Sequence, residues 1–183
     1  LDANWTDSAG NTGPTAQTAN FEIDTLSPAV TSFTMSNTAL KKSQTSTVTI
    51  EFSEPVTLFN KSNITAPNGS LGTMTNTADT NEWKGIFTPT PNTTAASNVL
   101  TLNDAWTDLA GNAGPAAGHS SLSTANFTID TLAPTVSSFT MSNTALKIGD
   151  KPTVTIVFSE AVTNFDKSNI TAPNGSLGTM TNT

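Results

Sequence analysis

Three short acidic patterns recur along the chain. Asp7 and Asn11, then Asp108 and Asn112, stand in Trp-Thr-Asp-x-Ala-Gly-Asn; Glu54 and Glu160 stand in Phe-Ser-Glu; Asp24 and Asp130 stand in Ile-Asp-Thr-Leu. Charged residues make up only 11% of the sequence, so this placement is informative. Carboxylates, an amide and loop carbonyls offer oxygen alone. That donor set suits a hard cation such as Ca2+, which takes about 6–8 oxygens. Other chemistries are poorly served. Cysteine is absent, which excludes disulfides and thiolate metal sites. His119 is the single histidine, so neither a zinc site nor a nucleophile–base–acid set can be assembled, and no enzyme is expected. All seven basic residues are lysine and the net charge is −7, which leaves no basic patch for nucleic acid. No apolar run is long enough to enter a membrane.

The patterns recur because the chain itself repeats. IDTLSPAVTSFTMSNTALK from Ile23 returns from Ile129 as IDTLAPTVSSFTMSNTALK, and KSNITAPNGSLGTMTNT at 61–77 returns unchanged at 167–183. The period is about 106 residues, with roughly four in five positions identical over the overlap. The chain thus divides into 1–23, the end of one repeat; 24–129, a complete repeat; and 130–183, the front of a third. The counterpart of 78–101 is missing from both end pieces, so these are expected to fray or to complete each other between neighbouring chains.

Short alternating runs separated by turn residues predict an all-β repeat of about seven strands. Strands are expected at 29–36, 46–53, 56–60, 63–76 (broken at Pro67-Asn68-Gly69), 82–89, 98–107 and 123–129. Val48, Ile50 and Phe52 should face inward, with Thr47, Thr49 and Glu51 outward. Ala125, Phe127 and Ile129 should be buried, as should Ala19, Phe21 and Ile23 one repeat earlier. The order fits a tandem array of immunoglobulin-like β-sandwiches, without the Cys–Trp–Cys core of antibody domains. In that topology Asp24, Glu54, Asp108 and Asn112 converge at the end facing the preceding repeat. Asp130 and Glu160 begin the next such site, and Asp7 and Asn11 end an earlier one.

The strings LKIGDKPTVTIVFSEAV, FDKSNITAPNGSLG, GIFTPT, WTDLAGNAGP and FTIDTLAPTV resemble the bacterial Ig-like repeats of large RTX-type surface adhesins. The resemblance covers essentially the whole chain. It implies a stalk of serial repeats at the bacterial cell surface, exported without disulfides, stiffened by calcium and holding a distal ligand-binding domain away from the cell. Its partners would be the neighbouring repeats of the same chain. An acidic residue is usual in the loop after the first strand; Asp150 fits, whereas Gln44 departs. Asp150 and Asp166 would be auxiliary ligands.

A plainer reading stands beside this one. Asp-x-Ala-Gly-Asn is a good turn without any metal, since Asp caps free backbone N–H groups and Gly accepts a positive φ. Trp5 and Trp106 read as core or loop-anchoring aromatics. Trp83 reads more readily as core than as a sugar-stacking platform, which keeps a carbohydrate- or surface-binding module as the alternative function.

Overall fold

The computed structural model describes residues 1–115 and 122–182. His119 and the inserted Gly118–Ser121 lie outside the described residues. In chain order the middle repeat contains β1 (Val30–Met35), β2 (Ala39–Lys41), β3 (Ser46–Phe52), β4 (Val56–Thr57), β5 (Ile64–Thr65), β6 (Gly69–Leu71) and β7 (Thr75–Asn76). It continues with β8 (Glu82–Pro89), β9 (Thr94–Asn98), β10 (Thr101–Leu102), β11 (Trp106–Asp108), β12 (Ala113–Gly114) and β13 (Phe127–Asp130). The third repeat contributes β14 (Val136–Met141) and β15 (Val154–Phe158).

One layer of the middle repeat runs β1–β3–β8, and β6 and β7 share the far edge of β8. Its inner face follows the period of two: Val48 and Ile50 are fully buried and Phe52 nearly so, whereas Glu51 is exposed. Val157, the counterpart of Glu51, is likewise exposed. The opposite layer is built from shorter ladders, β2–β13–β9, β5–β10 and β4–β11–β12, with β2 and β13 parallel. The run expected over 98–107 is divided among β9, β10 and β11, with breaks after Asn98 and at Asn103-Asp104-Ala105. Similarly, 63–76 breaks where Asn68 takes φ +54, and 56–60 ends after two residues at Leu58 with φ +63. Edge-to-face ring pairs close the two layers on each other, Phe87 with Phe127 at 5.3 Å and Phe52 with Trp106 at 4.8 Å.

Two burial expectations are corrected. Ala125 is exposed, because β13 begins only at Phe127; Thr124 turns inward instead, and its hydroxyl accepts the Leu100 N–H at 3.1 Å. Ala19, Phe21 and Ile23 are also exposed, the last two at 75% and 76%, since no strand forms over them and no second layer covers them. Phe127 and Ile129 are buried as expected.

The third repeat copies the local geometry without the cover. Strands β14 and β15 pair in the register of β1 and β3, down to the same irregularity after the first residue of β1 and of β14. Yet Phe139 is 58% exposed where Phe33 is 7% exposed, because nothing equivalent to β8 through β13 occurs within 130–183.

Candidate metal centre

Glu54 is positioned by the residue before it. The Ser53 amide donates to the Ala29 carbonyl at 2.8 Å and the Ser53 hydroxyl accepts the Ala29 amide at 2.9 Å. This reciprocal bond ties the turn after β3 to the start of β1, so Glu54 is carried beside the residues that follow Asp24. Ser159 and Thr135 repeat the bond before Glu160, with 2.9 Å in each direction. The serine shared by the two Phe-Ser-Glu copies was the available sequence signal for this lock. A turn of its own chemistry holds Asp108. Its Oδ1 accepts the Asn112 backbone N–H at 2.8 Å and its Oδ2 accepts the Asn112 Nδ2 at 2.7 Å. Gly111 supplies the positive φ, +94, that the reversal requires.

These elements bring one oxygen from each of Asp24, Glu54 and Asp108 within 4.8 Å of one another. Asn112 joins them as a donor, since its Nδ2 also reaches the Asp24 carbonyl at 3.3 Å. The carboxylates are exposed, half-buried and buried in that order. Among the described residues the one ion pair is Lys84 with Glu82, so no lysine neutralises the group. The electrostatic strain falls on Glu54: partial burial, then the charges of Asp24 and Asp108, push its carboxyl above the ordinary value. At Asp108 burial works in the same direction, but hydrogen bonds from Asn112, Gly111 and Ala110 outweigh it and hold the carboxyl low. Three converging carboxylates without a counter-charge fit a hard divalent cation, which would take their oxygens together with loop carbonyls and water.

The remaining candidates are dispersed. Asp7 and Asn11 form the same turn as Asp108 and Asn112, at 2.9 Å and 2.8 Å, and Asp7 is exposed. Asp130 accepts the Thr94 hydroxyl at 3.3 Å, and the third repeat holds no copy of Asp108 to complete a set with Asp130 and Glu160. Asp150 closes a surface turn by accepting the Lys147 N–H at 2.9 Å, a bond that Gln44 makes with Lys41 at the same length. The acid and the amide are interchangeable there because either supplies the required oxygen. Asp150 precedes β15 and Glu160 follows it, so the length of a strand separates them. Asp166 and Asn60 each cap a short 3-10 turn by accepting a serine N–H.

A line of aromatic rings, Trp106–Phe52–Phe59–Trp83, runs through the interior with centroids 4.8, 5.1 and 5.3 Å apart. Trp83 thereby belongs to the interior packing. The next linker, which follows β13, is held to the sandwich that precedes it. Thr131, the residue after β13, is buried and donates its hydroxyl to the Thr90 carbonyl at 2.7 Å while accepting the Thr93 N–H at 3.0 Å.

Comparison with known proteins supplies the family. The profile of the bacterial Ig-like domain matches residues 24–128 and again 130–183. The chain belongs to the bacterial Ig-like domain family. Searches of curated proteins and of solved structures return no match. Bacterial Ig-like domains are typically non-catalytic structural modules, usually extracellular or surface-exposed. Among the described residues no helix is long and apolar enough to cross a membrane.

Proposed function

We propose that these bacterial Ig-like repeats are extender units in the stalk of a secreted bacterial surface adhesin of the RTX type, stiffened by Ca2+ where one repeat joins the next. The observation that carries this reading is the uncompensated convergence of Asp24, Glu54 and Asp108. Asp24 lies in the linker, whereas Glu54 and Asp108 belong to turns of the sandwich that follows. A cation held by all three pins the linker to that sandwich. The Thr131 bonds pin the corresponding linker to the sandwich that precedes it. Together the two attachments convert a flexible joint into a stiff one, and Asn112 orients the Asp108 carboxylate.

Extracellular calcium modules bind at about 10⁻⁴–10⁻³ M. A site filled at about a hundredfold over its Kd stabilises the folded state by roughly 2.7 kcal/mol, a large share of the roughly 5–15 kcal/mol typical of a domain. In the same reading, the exposed faces carrying Phe21, Ile23 and Phe139 are covered by further repeat sequence, in the same chain or in a second one. A carbohydrate-binding module is the weaker alternative, since the Trp83 ring packs on Phe59.

The test is thermal unfolding and small-angle scattering of the chain in Ca2+ and then in EDTA, with Tb3+ luminescence excited through tryptophan as a direct reading of the site. Calcium should raise Tm and extend the particle, and Glu54→Gln should abolish both effects and the Tb3+ signal. If Tm, dimensions and luminescence are all indifferent to the ion, the acids are turn formers and the calcium reading is wrong.

A further inference from the structure

The sequence Ala-Pro-Asn-Gly-Ser-Leu-Gly occurs twice, at 66–72 and at 172–178, in two very different environments. An Asn-Gly pair carries its own reaction. The glycine amide nitrogen attacks the asparagine Cγ and ammonia leaves, forming a five-membered succinimide. Water then opens the ring to aspartate or isoaspartate. Glycine favours the attack because no side chain obstructs it. The reaction requires a free carboxamide and a main chain able to bend toward it.

In the middle repeat both requirements are denied. Asn68 Nδ2 donates to Asn98 Oδ1 at 2.7 Å, and the Asn68 carbonyl accepts the Thr90 N–H at 2.9 Å. The backbone at Asn68 is fixed at φ +54, and Gly69 opens β6, paired with Pro89 of β8. A Cβ at Gly69 would lie 2.2 Å from the Phe87 ring, so the main chain is pressed against the core. The second copy has none of this. Asn174 is exposed, lacks the positive φ, and among the described residues its carboxamide makes no hydrogen bond. A Cβ at Gly175 would meet nothing within 4 Å, and the Gly175 N–H reaches the Ala172 carbonyl only at 3.4 Å.

We propose that Asn68 is a deamidation site gated by closure of the sandwich, with the uncovered Asn174 of this chain as its ungated reference, so that the modification marks repeats that have opened. The mark also opposes reclosure. Aspartate at 68 sets a carboxylate against Asn98 Oδ1, and Asn98 cannot turn its amide to meet it. Its Nδ2 already donates to the Ala95 and Phe127 carbonyls at 3.2 and 3.1 Å, and that second bond is buried. Isoaspartate adds a backbone atom to a turn whose geometry is fixed by β6 and β8.

The two sites can be read separately in one sample, because trypsin releases them as 62–84 and 168–183. The folded chain is incubated in mildly alkaline buffer and the amide-to-acid mass change is followed in each peptide. Asn174 should convert on the order of a hundredfold or more faster than Asn68, since reaction at Asn68 waits for local opening. In urea the two rates should become equal. Gly175→Ala should slow its own site in either condition. Equal rates in the folded chain, at a concentration where gel filtration shows a monomer so that no second copy covers Asn174, would overturn the gate. Asn68→Asp should lower the unfolding temperature of the middle repeat while Asn174→Asp leaves it unchanged; equal effects would overturn the opposition to reclosure.

Discussion

The turn at 5–14 and the turn at 106–115 are nearly the same sequence, and they make the same bonds. Asp7 closes on Asn11 as Asp108 closes on Asn112, and in each the aspartate N–H donates to the asparagine carbonyl, at 3.0 and 3.1 Å. Gly10 and Gly111 take the matching positive φ, +86 and +94. Their surroundings differ completely. Trp106 is 1% exposed and donates its Nε1–H to the Asn103 carbonyl at 2.9 Å, whereas Trp5 is 43% exposed. Asp108 is buried beside two other acids, and Asp7 stands in solvent. The difference separates two roles for one motif. The hydrogen-bonded turn is local and forms wherever its seven residues occur. The acidic site needs the sandwich underneath.

Substitution at the paired tryptophans should break the comparison most visibly. Trp106→Ala removes a ring packed against Phe52 and should cost about 3–5 kcal/mol in urea unfolding, whereas Trp5→Ala should remain within roughly 0.5 kcal/mol of the parent. The glycine pair gives a smaller and sharper contrast. A Cβ at Gly114 would lie 2.1 Å from the Trp106 ring and one at Gly13 would lie 2.0 Å from the Trp5 ring. The two clashes are equal on paper. The buried indole cannot move, so Gly114→Ala should cost roughly 1–3 kcal/mol; the exposed indole swings aside, so Gly13→Ala should change little. Equal costs would mean that Trp5 is packed in solution.

The smallest effect is a difference in pH dependence without calcium. The folded pKa of Glu54 is raised above its ordinary 4.5, so the stability associated with protonated Glu54 is present below pH 4.5 and is lost as pH rises through the folded value. Asp108 has the opposite sign. Its folded pKa lies below 3.8, so its contribution is present above pH 3.8 and is lost as pH falls through the folded value. Glu54→Gln should therefore gain stability relative to the parent only above pH 4.5, and calcium should erase that gain. Parallel melting curves across this range would show that Glu54 is not strained by its neighbours.

Much of this was legible in the residues. Strict alternation at Val48, Ile50 and Phe52 marked a buried face, and Pro67-Asn68-Gly69 marked the break that follows. Period and turn chemistry are local, and they survive any context. The ends of the opposite layer were harder to read. Ala125 looked like a core residue because it alternates with Phe127, but the strand begins later and Thr124 finds a backbone partner inside. Asp150 and Gln44 close the same turn, the acid through a carboxylate oxygen and the amide through its carbonyl. Which carboxylate serves a turn and which faces another acid depends on where chain segments far apart in sequence meet.

By itself the sequence determined the repeat, the all-β architecture, the paired Asp–Asn turns and the register of β14 on β15, because each depends on neighbouring residues or on one strand meeting the next. Only the tertiary structure decided that Asp24, Glu54 and Asp108, up to 84 positions apart in sequence, bring their oxygens within 4.8 Å of one another. It also decided that Trp106 is core and Trp5 is surface. Burial and charge convergence require both layers of a sandwich, and residues 24–129 hold both.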